Sequence, residues 1–352
     1  MTHSSMAISY EDLPEELVLE IISWLPAKAI PKFKYANHDI LSLVTSQSYL
    51  SQKQSHNSFL KNDPCFFLHS DTCQRYSATT EFHHFSSVEK SSSGVSHNFL
   101  DFLKNYPSCR IMASSNGLIL GRSTKCNGEI ELFISNPATK SWLPIPTPDY
   151  LKENLNFDIN IAFECNNQDS HSNDYMLFRF EAPDEWPYIM SYNIEDGGSR
   201  MIRVPKEARR NSHDFSCKMG IYKWGKARNS DESICLVRLR KCVFTVWVLV
   251  DYEASKWRRI LKIRVKEILG IKEEDPIIVR GFKVINGDYL VFATQKKVYG
   301  YGLGCKIYMK LQKICEHQFD HDGDKVCFTS YSDTLRSCGD GATTLPLMQQ
   351  SY

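Results

Sequence analysis

The spacing of apolar residues changes once along this chain, from helical to strand-like. Residues 11 to 26 read EDLPEELVLEIISWLP, with Leu17, Val18, Ile21, Ile22 and Leu25 spaced for one face of an α-helix. Asp12 stands where a cap is expected, with Glu15 three residues on and Pro14 in the first turn. Pro26 ends the run after about three turns. Leu19 and Trp24 carry apolar character beyond the stripe a surface helix needs. A helix so short and so apolar requires a core beneath it or another polypeptide against it. Residues 27 to 50 predict further short helices, with Ile30, Phe33, Ile40, Leu41, Val44 and Leu50 as apolar positions and Pro31 near a helix start. Residues 51 to 63 (SQKQSHNSFLKND) are polar and read as a connector.

From Pro64 onward, short apolar or alternating runs are broken by turn residues. They fall at 65–70, 110–121, 130–136, 157–164, 174–181, 217–224, 233–239, 243–252, 277–282, 288–294 and 297–303. Helical candidates within this all-β tract are residues 97–106 and 265–270. One hairpin pattern recurs at 132–146, 190–205, 246–263 and 299–314, and aligning Trp142, Met201, Trp257 and Met309 gives intervals of 59, 56 and 52 residues. Such a hairpin cannot bury its face alone, and stacking copies side by side solves that. The period predicts propeller-like blades of the kelch kind, roughly five to six of them. A two-layer sandwich with similar hairpins is the alternative. The expected fold class is therefore α+β and multidomain, a small helical module followed by an all-β propeller-like domain. Its parts are a flexible start (1–9), a helical module (10–50), a linker (51–63), the β-domain (64–336) and a frayed tail (337–352).

Charge and cysteine usage narrow the classes. The formal net charge is +1, yet residues 200–266 hold 18 Lys/Arg against 6 Asp/Glu, so a local +12 is balanced by −11 elsewhere. If these cations gather on one rim, they attract an acidic partner. A nucleic acid is the weaker expectation, because the interleaved aromatics also suit propeller core positions. No window approaches the roughly 18 apolar residues of a membrane span, and the start has neither a basic nor an apolar leader segment. The twelve cysteines show no C-x-x-C spacing, and no N-x-S/T site occurs. Free thiols in a reducing compartment, cytoplasmic or nuclear, are the expectation, with Cys65, Cys217, Cys235 and Cys327 as small core hydrophobes.

Candidate chemistry is thin. Gly220 to Ala227 nearly matches a phosphate-binding loop, but Ala227 replaces the Ser/Thr that would hold magnesium, and Tyr222 and Trp224 suit a strand. Gly300-Tyr301-Gly302-Leu303-Gly304 lacks the third spaced glycine of a dinucleotide fingerprint and reads as a hairpin turn. Asp320 to Asp324 misplaces the glycine of a calcium loop and reads as a solvated turn. His83-His84 lie in a Ser-rich stretch and do not by themselves make a metal site. No cofactor, metal or catalytic residue is expected, and the reading is of a non-enzyme.

Residues 11–28 resemble the F-box, through Leu13, Pro14, Glu16, Leu17, Ile21, Leu25, Pro26, Lys28 and Phe33, with Leu43 and Val44 later. Ile40 stands where plant F-boxes usually carry a Trp, a smaller anchor. The β-tract resembles the F-box-associated domain of plant F-box proteins, through Asn116-Gly117-Leu118, the turn Asn136-Pro137-Ala138-Thr139 with Trp142 and Pro144, Val246 to Leu249 with Tyr252 and Trp257, and Tyr331 to Leu335. The resemblance implies a substrate receptor of an SCF-type ubiquitin ligase. Its F-box docks a Skp-family adaptor, which links to a cullin, and its β-domain holds a target protein. Adaptor contacts are expected at Leu13, Pro14, Leu17, Ile21 and Leu25, with Pro26 and Phe33 shaping the turn. Target contacts are expected in loops at one end of the propeller, near 122–128, 165–173, 206–214 and 225–232. Two other classes stay open, an adaptor-binding scaffold without ubiquitin transfer and a lectin-like glycan-binding propeller.

Overall fold

The computed structural model describes residues 13–27, 29–30, 48–60, 65–70, 81–84, 109–115, 117–125, 127–147, 161–165, 175–181, 187–193, 197–209, 217–225, 233–272, 276–285, 287–303, 311–317, 325–338 and 343–344. The expected first helix is α1 (Glu15–Ser23). It starts later than a cap at Asp12 would place it: Pro14 is the N-cap, and its carbonyl accepts from the Leu17 and Val18 amides. Most of the segment expected to form the next helices, including Phe33, lies outside the described residues. The linker expected over 51–63 is instead largely helical, as α2 (Ser48–Leu60). Its polarity misleads because the helix packs partly through buried polar side chains, Gln54 and Asn57. No helix among the described residues is long and apolar enough to cross a membrane.

The strands follow in groups. β1 (Cys65–Ser70) and β2 (Glu81–His84) come first, then β3 (Arg110–Ser115), β4 (Leu118–Thr124), β5 (Ile130–Asn136) and β6 (Ser141–Ile145). Next are β7 (Ile161–Cys165), β8 (Tyr175–Glu181), β9 (Tyr188–Asn193) and β10 (Ser199–Arg203), followed by the single turn α3 (Lys206–Arg209). Then come β11 (Lys218–Trp224), β12 (Ser233–Arg240), β13 (Val243–Asp251) and β14 (Lys256–Arg264), and the short α4 (Val265–Leu269). The last group is β15 (Gly281–Ile285), β16 (Tyr289–Ala293), β17 (Lys297–Gly302) and β18 (Leu311–Glu316), with β19 (Val326–Tyr331) and β20 (Thr343–Thr344) closing the chain.

Four groups of four consecutive strands each form an antiparallel meander, and their first strands are neighbours in space: β3 meets β7, β7 meets β11 and β11 meets β15. β19 then touches both β15 and β3, so the inner strands form a closed ring. The fifth sheet, β19-β1-β2, is built from both ends of the β-tract, with Cys65 opposite Tyr331 and Ser70 opposite Val326. The described strands thus make a five-bladed propeller whose closing blade ties early strands to a late one. Pairing across the closure joins the two ends of the β-tract in one sheet, and the radial arrangement leaves only the outer strand of each blade as an edge. The recurrent hairpin seen in the sequence is the outer strand pair of a blade: β5-β6, β9-β10, β13-β14 and β17-β18.

Burial on both sheet faces explains why many strands lack clean alternation. In β12, Ile234 and Leu236 pack with Ile189, Ile202 and Trp247 toward the second blade. The alternate residues Cys235 and Val237 pack with Val284, Leu290 and Phe292 of the fourth. Ile285, Val291 and Val298 meet Phe66, Leu68 and Phe328 across the closing interface. The Tyr222 hydroxyl donates to the Phe282 carbonyl between blades, at 3.0 Å, and burial pushes its pKa far up. Burial likewise raises the Cys235 thiol, and the seven cysteines whose side chains are described are thiols outside any disulfide.

Several local expectations change. Gly300 and Gly302 belong to β17, not to a hairpin turn, and the Tyr289 ring covers Gly300 where a Cβ would sit. Gly220 to Trp224 is strand, as the bulky residues suggested. The run at 277–282 becomes strand only from Gly281. The described residues of the tail expected to fray are anchored: Cys338 is buried and β20 pairs with β6 at the outer edge of the blade made by β3–β6. The four candidate target loops do not share one end. Connections 165–173 and 225–232 join first to second strands, whereas 122–128 joins second to third and 206–214 leads into the next blade. Successive turns of a meander fall at opposite ends.

Lys283, on the inner strand β15, gives a pH test of this packing. Part of the side chain remains accessible, yet the protein around the amine desolvates it and lowers its pKa to about 8, with Cys327 opposing weakly. The unfolded chain therefore binds more protons than the folded one between about pH 8 and the ordinary lysine value of 10.5, and stability rises with pH across that window. Lys283→Met is expected to raise the thermal midpoint at pH 7 and to lose that gain as pH climbs from 8 toward 10.5. A gain independent of pH would rule out burial of the ammonium as its cause.

Candidate functional site

α1 presents two apolar faces. Leu19 and Ile22 point inward and are buried with Ile30 and Leu50, while Val18, Leu25 and Leu335 pack at the margin of this cluster. The opposite side holds Leu17 at 50% exposure, Ile21 at 56% and Trp24 at 40%, with Pro14 exposed at the start of the helix. Their spacing of three, four and three places them in one row along the helix. Most large apolar side chains of the propeller strands are sealed, so this row is a concentrated exception.

The sequence-expected residues divide. Leu17, Ile21 and Pro14 lie on the exposed row, Pro26 is exposed just past the end of α1, and Leu13 is half-buried. Leu25 turns partly inward against the buried cluster and so does not extend the row. Phe33 lies outside the described residues. Trp24 was missed as a site residue. Its distance of seven from Leu17, rather than the eight of Leu25, is the signal that places it on this face.

The Trp24 ring is oriented. Its Nε1–H donates to Glu20 Oε1 at 2.9 Å, and Glu20 also pairs with Lys53 of α2. Lys53 first, then Trp24, holds the Glu20 carboxyl below its ordinary value of 4.5. One carboxylate thus joins the two helices and restrains the aromatic side chain.

The helix pair is fastened to the propeller by the segment 332–338 that follows β19. Buried Gln54 donates to the carbonyls of Leu25 and Asp333, each at 3.1 Å, and accepts from the Leu335 amide at 2.9 Å. Ser51 donates to the Leu335 carbonyl, Ser58 donates to that of Asp333, and Asn57 donates to Ser23 Oγ. The same strap is gripped from the other side by Asn136, whose amide donates to the carbonyls of Thr334 and Arg336 at 2.9 and 2.8 Å. Gly117, at φ +83°, lies so close to Thr334 and the Ser332 carbonyl that a Cβ would collide with both. The Asn-Pro-Ala-Thr turn therefore does more than reverse a hairpin: its first residue anchors the connection between modules.

Gln54→Leu keeps the volume and leaves several strap groups without partners, each worth about 1–3 kcal/mol when buried. Amide exchange over α1 and α2 should accelerate at least tenfold while the inner propeller strands keep their protection. Unchanged protection in both helices would remove the strap from this role.

The basic stretch does not form a uniform rim. Arg200 pairs with Glu253 at 2.5 Å and lies 5.0 Å from the Tyr252 ring, Arg259 pairs with Glu207 at 2.7 Å, and Arg264 pairs with Glu267 at 3.7 Å. Arg203 and Lys206 stand exposed at the junction of β10 and α3, while Lys256, Arg258 and Lys262 are exposed along β14. Among the described residues no three His, Cys, Asp or Glu side chains converge as a metal site would require. The segment 320–324 and the side chains of His83 and His84 lie outside what is described.

An F-box protein of Arabidopsis thaliana is 29% identical over 143 residues, covering 38% of this chain and 34% of the relative. The chain thus spans about a third of that protein's length, and the match supports kinship with plant F-box proteins. Among solved structures, TolB from Acinetobacter baumannii superposes with a TM-score of 0.38 at 7% identity, over 77% of this chain and 61% of that one. A protein assigned as TolB from Agrobacterium tumefaciens gives 0.35 at 12% identity, over 77% and 98%. No protein-family model matches the chain.

Proposed function

We propose that this chain is a substrate-recognition subunit of an SCF-type ubiquitin ligase, which docks a Skp-family adaptor through α1 and holds a target protein on the propeller. The observation that carries the reading is the exposed row Leu17, Ile21 and Trp24 on a helix whose other face is already satisfied. Pro14 and Leu13 border the row at its start, and Leu25 and Pro26 border it at its end. Burying a Leu or Ile completely contributes ~1.5–3 kcal/mol, so the exposed halves of Leu17 and Ile21 supply roughly 1 kcal/mol each before association costs. Trp24 adds a larger surface, already restrained by Glu20.

The chain performs no bond chemistry in this scheme. It raises the effective concentration of the target's lysines beside a ubiquitin carrier brought by the cullin. The strap supports this role by fixing the helices on the propeller, so that a target held there keeps a defined offset from the adaptor. Reconstitution with purified adaptor, cullin and RING subunit tests the proposal. Stable co-purification with the adaptor, followed by ubiquitin transfer to a captured protein, is the expected result. Adaptor binding without any transfer would favour a non-degradative scaffold, and the absence of adaptor binding would end the proposal.

A further inference from the structure

An open cleft of about 550 Å³ lies between the outer strands of the second and third blades. Arg203, Lys206 and Arg209 line one side, Arg259 and Trp257 the other, and buried Trp247 lies beneath. The one carboxylate in the lining, Glu207, is occupied by Arg259 at 2.7 Å. Four cations against one acid leave a local excess of positive charge in a chain whose residues outside 200–266 sum to −11.

The walls are built. Trp257 Nε1–H donates to the Arg203 carbonyl at 2.8 Å, and the Arg203 amide donates to Ser255 Oγ at 3.3 Å. Ser255 is held at φ +50° in the turn between β13 and β14. Arg238 donates to the Glu207 carbonyl at 2.6 Å, which fixes α3 from behind. These bonds use backbone groups and leave the Arg203 and Lys206 side chains exposed, with no carboxylate partner among the described residues.

Cations on outer strands also discourage sheet-to-sheet pairing, which accounts for Lys256, Arg258 and Lys262 along β14. It does not account for Lys206, which lies beyond the end of β10 and, with Arg203 at that strand's last position, faces a concavity with an aromatic wall. A nucleic acid strand would need a longer cationic track and several open stacking rings. The described lining offers one partly exposed ring, because Trp247 is sealed.

We propose that this cleft binds an acidic peptide segment, with Asp or Glu carboxylates on Arg203 and Lys206 and an apolar neighbour against Trp257. Guanidinium groups suit this ligand because they meet a carboxylate with two parallel hydrogen bonds. The peptide site stands on the cleft alone; its use in target capture rests on the receptor reading above.

Fluorescence anisotropy of the full chain with a labelled oligoglutamate peptide carrying one central leucine tests the site. Arg203→Glu with Lys206→Glu is compared with Arg258→Glu with Lys262→Glu, an equal charge change outside the cleft. The expected result is a loss of at least tenfold in affinity for the first variant and less than threefold for the second. Equal losses would show a diffuse positive field and overturn the proposal, as would no binding by the wild type. Tighter binding of oligo(dT), lost in the same first variant, would reassign the cleft to nucleic acid. Should the first variant fail to fold, Arg203→Gln with Lys206→Gln keeps the comparison, with threefold or more loss expected. Adaptor capture is read in the same samples, so failure of the cleft and failure of the helix face are told apart.

Discussion

Aspartate at both Leu17 and Ile21 is expected to abolish capture of a Skp-family adaptor while the propeller melts as in the wild type. Both side chains are at least half exposed, so the substitution removes little internal packing. In a complex, each carboxylate would be stripped of water on an apolar surface without a partner. Truncating one central anchor of an interface typically costs 2 kcal/mol or more, and two such losses of ~4 kcal/mol correspond to roughly 1,000-fold in affinity. Trp24→Ala should weaken capture by about tenfold on its own. Ile22→Asp provides the contrast. That residue is buried, so its charge should loosen the helix pair, and capture then fails together with amide protection. Adaptor capture by the Leu17/Ile21 double variant at wild-type affinity would sink the proposed interface.

Gly281→Val is expected to produce the largest loss of stability. Gly281 opens β15 on the inner ring, where β15 meets β19. A Cβ at this position would overlap the Val326 carbonyl oxygen and crowd its carbon, both of them backbone. A flexible side chain could swing aside, but the Val326 peptide is held in the closing sheet through its pairing with Ser70. Accommodating Val therefore requires blades four and five to move apart and opens the interface formed by Ile285, Val291, Phe66 and Phe328. Overpacking that side chains can absorb costs 1–3 kcal/mol. With rigid backbone opposite, the loss should exceed about 3 kcal/mol, or roughly 6–12 °C in thermal midpoint for a domain of this size. Gly128→Ala serves as the control. It sits at φ +84° with nothing near its missing Cβ, so its cost is limited to about 1 kcal/mol of backbone strain. Equal, small shifts in the two variants would mean that the ring tolerates separation at this joint.

Much of the architecture was legible because its signals are local. The helix over 15–23 follows from apolar spacing, and the outer hairpins follow from a strand–turn–strand pattern whose bulky residues, Trp142, Met201, Trp257 and Met309, recur every 52 to 59 positions. The misreadings share a cause. Residues 51–60 looked like a linker because polarity was taken as solvent exposure, whereas Gln54 and Asn57 are buried and satisfied by carbonyls and a hydroxyl from elsewhere in the chain. Gly300 and Gly302 looked like a turn because the ring that covers Gly300 belongs to a neighbouring strand, eleven residues earlier. Cys338 and Thr343-Thr344 looked like a loose tail because their partners, Ser141 and Trp142, are about 200 residues away.

The sequence by itself determined where the first helix and most of the propeller strands would lie, and that one short helix carried more apolar surface than it could hide. Both are consequences of periodicity and turn chemistry within a few residues. Only the tertiary structure decided which way that surface faces. Burial of Leu19 and Ile22 against Ile30 and Leu50 leaves Leu17, Ile21 and Trp24 outside and draws Leu25 partly inward. It alone also decided that β19 would close the ring on β1 and that 332–338 would bind the helices to the propeller. Those outcomes depend on hydrogen bonds between residues more than 190 positions apart, which no local pattern encodes.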